Sequence, residues 1–166
     1  MTIETLFGQE QILSKPRRIK FKQIKAVYEI FTVEEKVSGY LSPHMRYTSP
    51  EQVNQIFQFL RDETKEYFYA LHLDGKNRII CLDMVSLGTL NQSLVHPREI
   101  FKTALLSNAA ALILVHQHPT GDPSPSREDL EITRRLKEAG DLLGIKVLDH
   151  IIIGETYLSF VSQGLL

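Results

Sequence analysis

A continuous apolar run in the second half of the chain constrains the fold most. Residues 110–115 are six consecutive apolar side chains, Ala-Ala-Leu-Ile-Leu-Val. A short run of this kind is typical of a central β-strand that is covered on both faces. We therefore predict a buried strand that leads directly into His116-Gln117-His118.

Helical and strand patterns alternate around this run. Helices are predicted to begin at Ser49-Pro50, where the serine is a candidate cap, and at Pro97; a third is predicted from about residue 127 to 143, ending at Gly144. Strands are predicted over residues 67–73, 78–85, 147–153 and 156–161. Hairpin turns between neighbouring strands require antiparallel pairs. We predict an α/β fold of α+β type, a mixed β-sheet flanked by helices.

Two local details follow from the same patterns. In the turn at Asp74-Gly75, we expect the Asp-Gly pair to provide positive φ at low cost. The third helix is predicted to turn four residues inward, by their spacing: Leu130, Thr133, Leu136 and Leu143.

The chain is predicted to divide near residue 47. Residues 1–17 show no sustained periodicity, and a glycine and a proline lie close together at 38–43, which is typical of a linker. We predict an N-terminal arm over 1–47, partly disordered or with short strands. One folded domain is predicted over 48–166, in line with the length of the chain.

Composition narrows the classes of function. The net charge of −1 argues against a protein that binds nucleic acid over its whole surface. The single basic cluster, Lys15–Lys22, is either a solvated arm or, within 15–25, a nucleic-acid contact. Cys81 is the only cysteine, so no intrachain disulfide can form. No apolar run approaches the ~18 residues of a membrane helix, and the N-terminus lacks a signal-peptide pattern. We expect a cytoplasmic protein without membrane contact.

The segment after the apolar run carries a candidate metal site. Residues two apart on a strand project to the same side, so His116 and His118 can converge. Asp129 can join them if the proline-rich loop over 119–125 folds back. Two imidazoles and a carboxylate are a common catalytic zinc set. The alternative is structural, because Ser126-x-x-Asp129 resembles a capping box and single histidines at strand ends are usually not ligands.

The strings His-x-His-Pro and Ser-x-x-Asp resemble the JAMM motif of MPN-domain metalloproteases, and within that group the RadC family. Supporting strings lie at 88–91, 96–99, 108–111, 121–123 and 148–154, and the resemblance covers about residues 48–166. The resemblance is to short family members that lack an N-terminal helix-hairpin-helix region, because residues 1–47 are too short to form one. It implies the MPN architecture, which is cytidine-deaminase-like, and one zinc ion bound by His116, His118 and Asp129.

The resemblance also implies an activity, the hydrolysis of a peptide or isopeptide bond in a peptide or protein substrate. It places the catalytic glutamate on Glu66, with Glu63 a poorer register, and the catalytic serine on Ser126. His150 is a candidate to lie behind the ligands, and Asp122 is an alternative ligand outside the motif. The oligomeric state is not indicated.

Other functions stay open beside this one. The first alternative is a RadC-like protein that acts with DNA repair or nucleic acid and has no protease activity. A scaffold is disfavoured because the full ligand set is present. A zinc deaminase is disfavoured because the Pro-Cys-x-x-Cys signature is missing.

Overall fold

The structure is a computed structural model that describes residues 25, 27–29, 45–88 and 95–166. The basic cluster Lys15–Lys22, the linker at 38–43 and residues 89–94 lie outside the described residues. The division of the chain into an arm over 1–47 and a domain over 48–166 therefore stays a prediction.

Five strands form one mixed sheet, in the spatial order β2-β1-β3-β4-β5. They are β1 (Glu66–Leu73), β2 (Ile79–Gly88), β3 (Ala111–Gln117), β4 (Lys146–Ile153) and β5 (Tyr157–Ser159). β3 and β4 are parallel, and the other three pairs are antiparallel. The predicted mixed sheet is confirmed, and the apolar run is its central strand.

Three α-helices accompany the sheet in the described part of the chain: α1 (Pro50–Ile56), α2 (Pro97–Leu106) and α3 (Arg127–Leu143). A 3₁₀ helix over Gln58–Asp62 follows α1. Gly144 ends α3 with a left-handed φ of 72°, as its lack of a Cβ allows. Among the described helices, none combines the length and apolar character needed to cross a membrane.

β3 lies between two hydrophobic layers. Ile113 and Val115 face the layer built with α1 and the 3₁₀ helix, while Leu112 and Leu114 face the layer built with α2 and α3. All seven residues of β3 are buried, which explains why its sequence is apolar on both faces. By the same alternation, His116 projects to the side of α2 and α3.

Three local predictions were wrong. Ser49 precedes α1, but its side chain makes no capping hydrogen bond, and Pro50 in the first turn marks the helix start. In the β1–β2 turn the positive φ of 58° is at Asn77, not at Gly75. There the Asp74 carboxylate fixes the turn by accepting hydrogen bonds from two backbone N–H groups, those of Lys76 at 2.8 Å and Arg78 at 2.9 Å.

The third wrong prediction concerns the inward face of α3. Thr133 and Leu136 are buried as expected, but Leu130 is 41% exposed and Leu143 is 44% exposed. The buried stripe is instead Asp129, Thr133, Leu136 and Gly140. The helix is thus rotated so that a carboxylate, and not a leucine, faces the sheet at its first turn.

Candidate metal centre

His116 and His118 lie at the carboxyl end of the central strand. His116 is the sixth residue of β3 and pairs with Phe68 of β1, and the residue is buried. His118 follows the strand, and its N–H donates to the carbonyl of Ile153 at 2.9 Å. The two imidazole rings have centroids 4.7 Å apart and meet edge to face. The predicted convergence of the two histidines on one side of the strand is present.

Asp129 reaches the histidines from the first turn of α3. Its Oδ1 lies 2.7 Å from His116 Nδ1, and its Oδ2 lies 3.3 Å from His118 Nε2. The carboxylate is almost completely buried. The loop after His118 therefore folds back, which was the condition for Asp129 to join the two histidines.

The capping interpretation of Asp129 also holds. Ser126 is the N-cap of α3, and its Oγ accepts a hydrogen bond from the N–H of Asp129 at 3.1 Å. In return Asp129 Oδ2 accepts hydrogen bonds from the N–H of Ser126 at 2.8 Å and from its hydroxyl at 2.6 Å. Because the capping box fixes the carboxylate, the same contacts that start the helix also aim Asp129 at the histidines.

These three side chains form a group that can bind a metal ion. In the parts of the chain that the structure describes, this is the one group of three or more potential metal ligands, with ligand atoms within 4.8 Å of one another. The Nε2 atom of His116 is buried without a hydrogen-bond partner among the described residues, as are those of His72 and His150, so His116 is distinguished by the Asp129 carboxylate at its Nδ1. Imidazole nitrogen and carboxylate oxygen are both donors that zinc accepts.

The ring of His118 is oriented by a backbone carbonyl. Its Nδ1 lies 2.8 Å from the carbonyl oxygen of Asp122, so Nδ1–H donates there and the lone pair is left on Nε2. The carboxylate of Asp122, the alternative ligand, instead accepts a hydrogen bond from the N–H of Ser124 at 2.9 Å. Asp122 therefore contributes to the site through its main-chain carbonyl, which orients His118, and not through its carboxylate.

Asp129 and His118 each favour the charged form of the other, as the shifts of their pKa values indicate. Burial lowers the pKa of the His118 imidazole, but the hydrogen bonds to Asp129 and the Asp122 carbonyl, with the charges of Asp129 and Glu66, raise it overall. Burial raises the pKa of Asp129, yet the hydrogen bonds from His116 and His118, the charge of His116 and the hydrogen bond from Ser126 outweigh it and hold that pKa well below its usual range. Asp129 is therefore ionised throughout the neutral range, as a metal ligand must be.

Glu66 lies beside this group, whereas Glu63 does not. Glu66 is the first residue of β1, one step beyond the pair Tyr67–Gln117, which places it opposite His118 on the same side of the sheet. Its charge raises the pKa of His118, in keeping with this position. Glu63 ends the 3₁₀ helix, where its carboxylate accepts a hydrogen bond from the Tyr67 hydroxyl at 3.3 Å.

His150 packs behind His116 in the interior. The two rings are nearly parallel, with centroids 6.3 Å apart, and the Phe160 ring stacks on the far side of His150 at 4.6 Å. Burial, followed by the positive charge of His116, lowers the pKa of His150 to about 3. Its imidazole is therefore neutral at all physiological pH values.

Sequence reasoning placed Thr133 on the inward face of α3 but missed that this residue connects His150 to the ligands. Thr133 Oγ1 lies 2.6 Å from His150 Nδ1 and donates a hydrogen bond to the main-chain carbonyl of Asp129. His150 therefore donates to Thr133 and stabilises the helix turn that carries Asp129. The only available signal was the spacing of Thr133 four residues after Asp129, which places both on one helix face.

A mixed sheet with a His-His-Asp group at the end of its central strand is consistent with a JAB-type domain. A family model described as RadC-like JAB domain matches residues 47–165, and the chain belongs to this family. The resemblance to RadC proteins found in the sequence is thus confirmed.

Curated relatives agree on the family and are named only as UPF0758 proteins. One from Geobacter sulfurreducens is 67% identical over 123 residues, which is 73% of this chain and 54% of the relative. One from Pelobacter propionicus is 59% identical over 139 residues, 82% of this chain and 61% of the relative. One from Methanosarcina mazei is 45% identical over 150 residues, 89% of this chain and 64% of the relative. The chain spans about half to two thirds of the length of these relatives.

Proposed function

We propose that this domain is a zinc-dependent hydrolase that cleaves a peptide or isopeptide bond. The observation that carries the proposal is the convergence of His116, His118 and Asp129 on one point at the end of the central strand. Three protein ligands of this kind leave a further coordination position for water or substrate. Zinc in such a site supplies a Lewis acid that lowers the pKa of water and polarises a carbonyl group.

Glu66 is proposed to be the general base and acid. Its position opposite His118, at the start of β1, supports this role because the carboxylate lies beside the ligands without being one of them. It would accept the proton of the attacking water and later pass it to the leaving amine, so both oxygen and nitrogen end with their normal valence. A positioned base of this type typically contributes a factor of about 100 to 10,000 in rate.

Ser126 is proposed to stabilise the negative charge that develops on the carbonyl oxygen. Its hydroxyl lies 2.6 Å from Asp129 Oδ2, at the edge of the ligand group. To donate to the substrate, it must exchange this hydrogen bond for one to the oxyanion. Loss of one such donor typically costs about 100- to 1000-fold in rate.

Glu66→Gln and Glu63→Gln form a matched pair that tests the assignment. We expect Glu66→Gln to lower kcat by at least about 100-fold while zinc binding stays intact, because the base is lost and the ligands remain. Glu63→Gln should keep wild-type kcat, since its side chain contacts Tyr67. Turnover of peptide and isopeptide libraries by the zinc-loaded protein is the measurement, with elemental analysis of each variant. Equal activity of Glu66→Gln and wild type would exclude Glu66 as the base.

Ser126→Ala separates two roles for the serine. If Ser126 acts on the oxyanion, kcat falls and zinc affinity is kept; if it acts only by holding Asp129, zinc affinity falls in step with activity. The proposal expects the first pattern.

A zinc-loaded wild type that hydrolyses no member of a broad peptide and isopeptide panel would contradict the proposed activity as a whole. Iron instead of zinc in the purified protein would contradict the proposed metal, because two histidines and a carboxylate also suit iron.

A further inference from the structure

The loop after His118, residues 119–125, is fastened to the turn between β4 and β5. Before the loop, the N–H of His118 donates to the carbonyl of Ile153 at 2.9 Å. Within the loop, the carbonyl of Gly121 accepts from the N–H of Glu155 at 2.7 Å. These two hydrogen bonds lie on either side of Gly154, so the loop passes directly over this glycine.

Gly154 leaves no room for a side chain under the loop. A Cβ at this position would lie 2.3 Å from the carbonyl oxygen of Gly121, 2.8 Å from its carbonyl carbon and 3.1 Å from the nitrogen of Pro123. All three atoms belong to the backbone and cannot rotate away. The φ of Gly154 is outside the left-handed region, unlike the φ of +81° at Gly121. The glycine is therefore required for space, and not for its backbone conformation.

A Cβ at position 154 would meet Gly121 and Pro123, and the residue between these two is Asp122. Its carbonyl oxygen is the group that accepts the Nδ1–H of His118 at 2.8 Å. In the neutral ring, that hydrogen bond leaves the lone pair on Nε2, the atom that lies 3.3 Å from Asp129 Oδ2. Any displacement of the loop by a side chain at 154 moves the carbonyl that orients the ring.

We propose that Gly154 is a positioning residue of the metal centre. Its missing side chain lets the loop close onto the β4–β5 turn, so that the Asp122 carbonyl holds the His118 ring with Nε2 directed at Asp129. The proposal rests on the proposed role of His118 as a metal ligand. Groups that orient a ligating histidine typically change metal affinity by about 10- to 100-fold when they are lost.

Gly154→Ala tests the proposal with two readouts. Zinc affinity is measured by competition with a chromophoric chelator, and we expect it to fall about 10- to 100-fold. In the metal-free protein, the Nδ1–H resonance of His118 in ¹⁵N-labelled samples reports its hydrogen bond to Asp122. We expect this resonance to shift or to be lost through exchange with water.

Gly140→Ala is the matched control. A Cβ there would lie 2.4 Å from the carbonyl oxygen of Ile145, an equally severe contact with backbone. Gly140 is 11 residues after Asp129 in α3, about 16 Å along the helix. We expect Gly140→Ala to lower stability while the folded protein keeps wild-type zinc affinity and the His118 resonance. Gly75→Ala, with nothing within 4 Å, should change neither.

The outcomes separate this inference from the proposed function. Wild-type zinc affinity and an unchanged His118 resonance in Gly154→Ala would overturn the inference alone. A wild type that binds no zinc would overturn the proposed function, while the resonance would still test the role of Gly154. If Gly154→Ala does not fold, Gly121→Ala displaces the same loop by a different route, because its φ of +81° is strained for alanine, while its Cβ would meet only the flexible side chain of Glu155 at 3.1 Å. An unchanged His118 resonance in that variant would equally overturn the inference.

Discussion

The sheet face covered by α2 and α3 has a buried histidine near each end, and only one end gathers ligands. At one end His72 is fully buried, and its Nδ1 lies 2.8 Å from Ser107 Oγ. At the other end His116 is buried as well, but its Nδ1 lies 2.7 Å from the carboxylate of Asp129. A buried imidazole by itself is thus a packing feature. The carboxylate that a helix turns toward it distinguishes the candidate metal centre.

The pKa values of His72 at one end and His118 at the other are shifted in opposite directions. Burial lowers the pKa of His72, and the charge of Asp83 opposes this only in part. At the metal end, the hydrogen bonds and charge of Asp129 overcome burial and raise the pKa of His118. His72 is therefore kept neutral, whereas His118 favours the proton, or a metal ion in its place; His150, behind the ligands, is kept neutral as His72 is.

Metal removal should give the largest difference between the two ends. With zinc at 100 times its Kd, binding stabilises the folded protein by about 2.7 kcal/mol, and a chelator removes this contribution. We expect the full loss in wild type and in His72→Gln, but none in His118→Ala. Thermal unfolding with and without chelator measures it. An equal response to chelator in His118→Ala would break the distinction between the ends.

The pH dependence of the metal-free protein should contain contributions of opposite sign from His72 and His118. A histidine with a lowered folded pKa, such as His72, makes the unfolded state bind more protons, so stability falls as the pH drops below about 6.5. The slope is at most about 1.4 kcal/mol per pH unit per histidine. His150 adds a loss of the same sign, since its pKa is lowered to about 3. The raised pKa of His118 instead contributes stability that is fully present below about 6.5 and lost as the pH rises through its folded value.

Urea unfolding between pH 5 and 8 measures these opposite signs, and the titration of Asp149, whose pKa burial raises, is common to all the variants compared. We expect His72→Gln to lose stability less steeply than wild type as the pH falls. His118→Gln should be less stable than wild type at pH 5, and the gap should close toward pH 8. A gap that widens with rising pH would show that His118 does not gain the proton in the folded state.

The smallest expected effect is at two threonines, one at each end. Thr133 links His150 to the main chain of Asp129, and Thr103 Oγ1 donates to Asp83 Oδ2 at 2.6 Å near His72. Replacing either by valine should cost about 1 kcal/mol of stability through the lost hydrogen bond. Only Thr133→Val should also weaken zinc binding, by several-fold, because it loosens the turn that carries Asp129. Chelator competition measures the affinity, and equal weakening in Thr103→Val would remove the special role of Thr133.

Much of this arrangement could be predicted from local sequence rules. The two-residue period of a strand placed His116 and His118 on one side, and the capping-box spacing fixed Asp129 relative to Ser126. The continuous apolar run identified the central strand because both of its faces are covered.

The remaining features depend on contacts between distant segments. The apolar spacing of α3 favoured Leu130 on the inward face, but packing rotated the helix to bury Asp129 instead. The carbonyl of Asp122 carries no sequence signal, since every residue has one. The contact of Gly154 with Gly121 joins residues 33 positions apart and appears only once β4 is paired with β3.

Metal content is the most direct test of the central claim that these three side chains share one ion. Elemental analysis of wild type, His118→Ala and His72→Gln, each purified identically and dialysed against a weak chelator, gives the number of metal ions per chain. We predict about one zinc per chain in wild type and in His72→Gln, and close to none in His118→Ala. A wild type without stoichiometric metal, or a His118→Ala protein that retains as much as wild type, would contradict it.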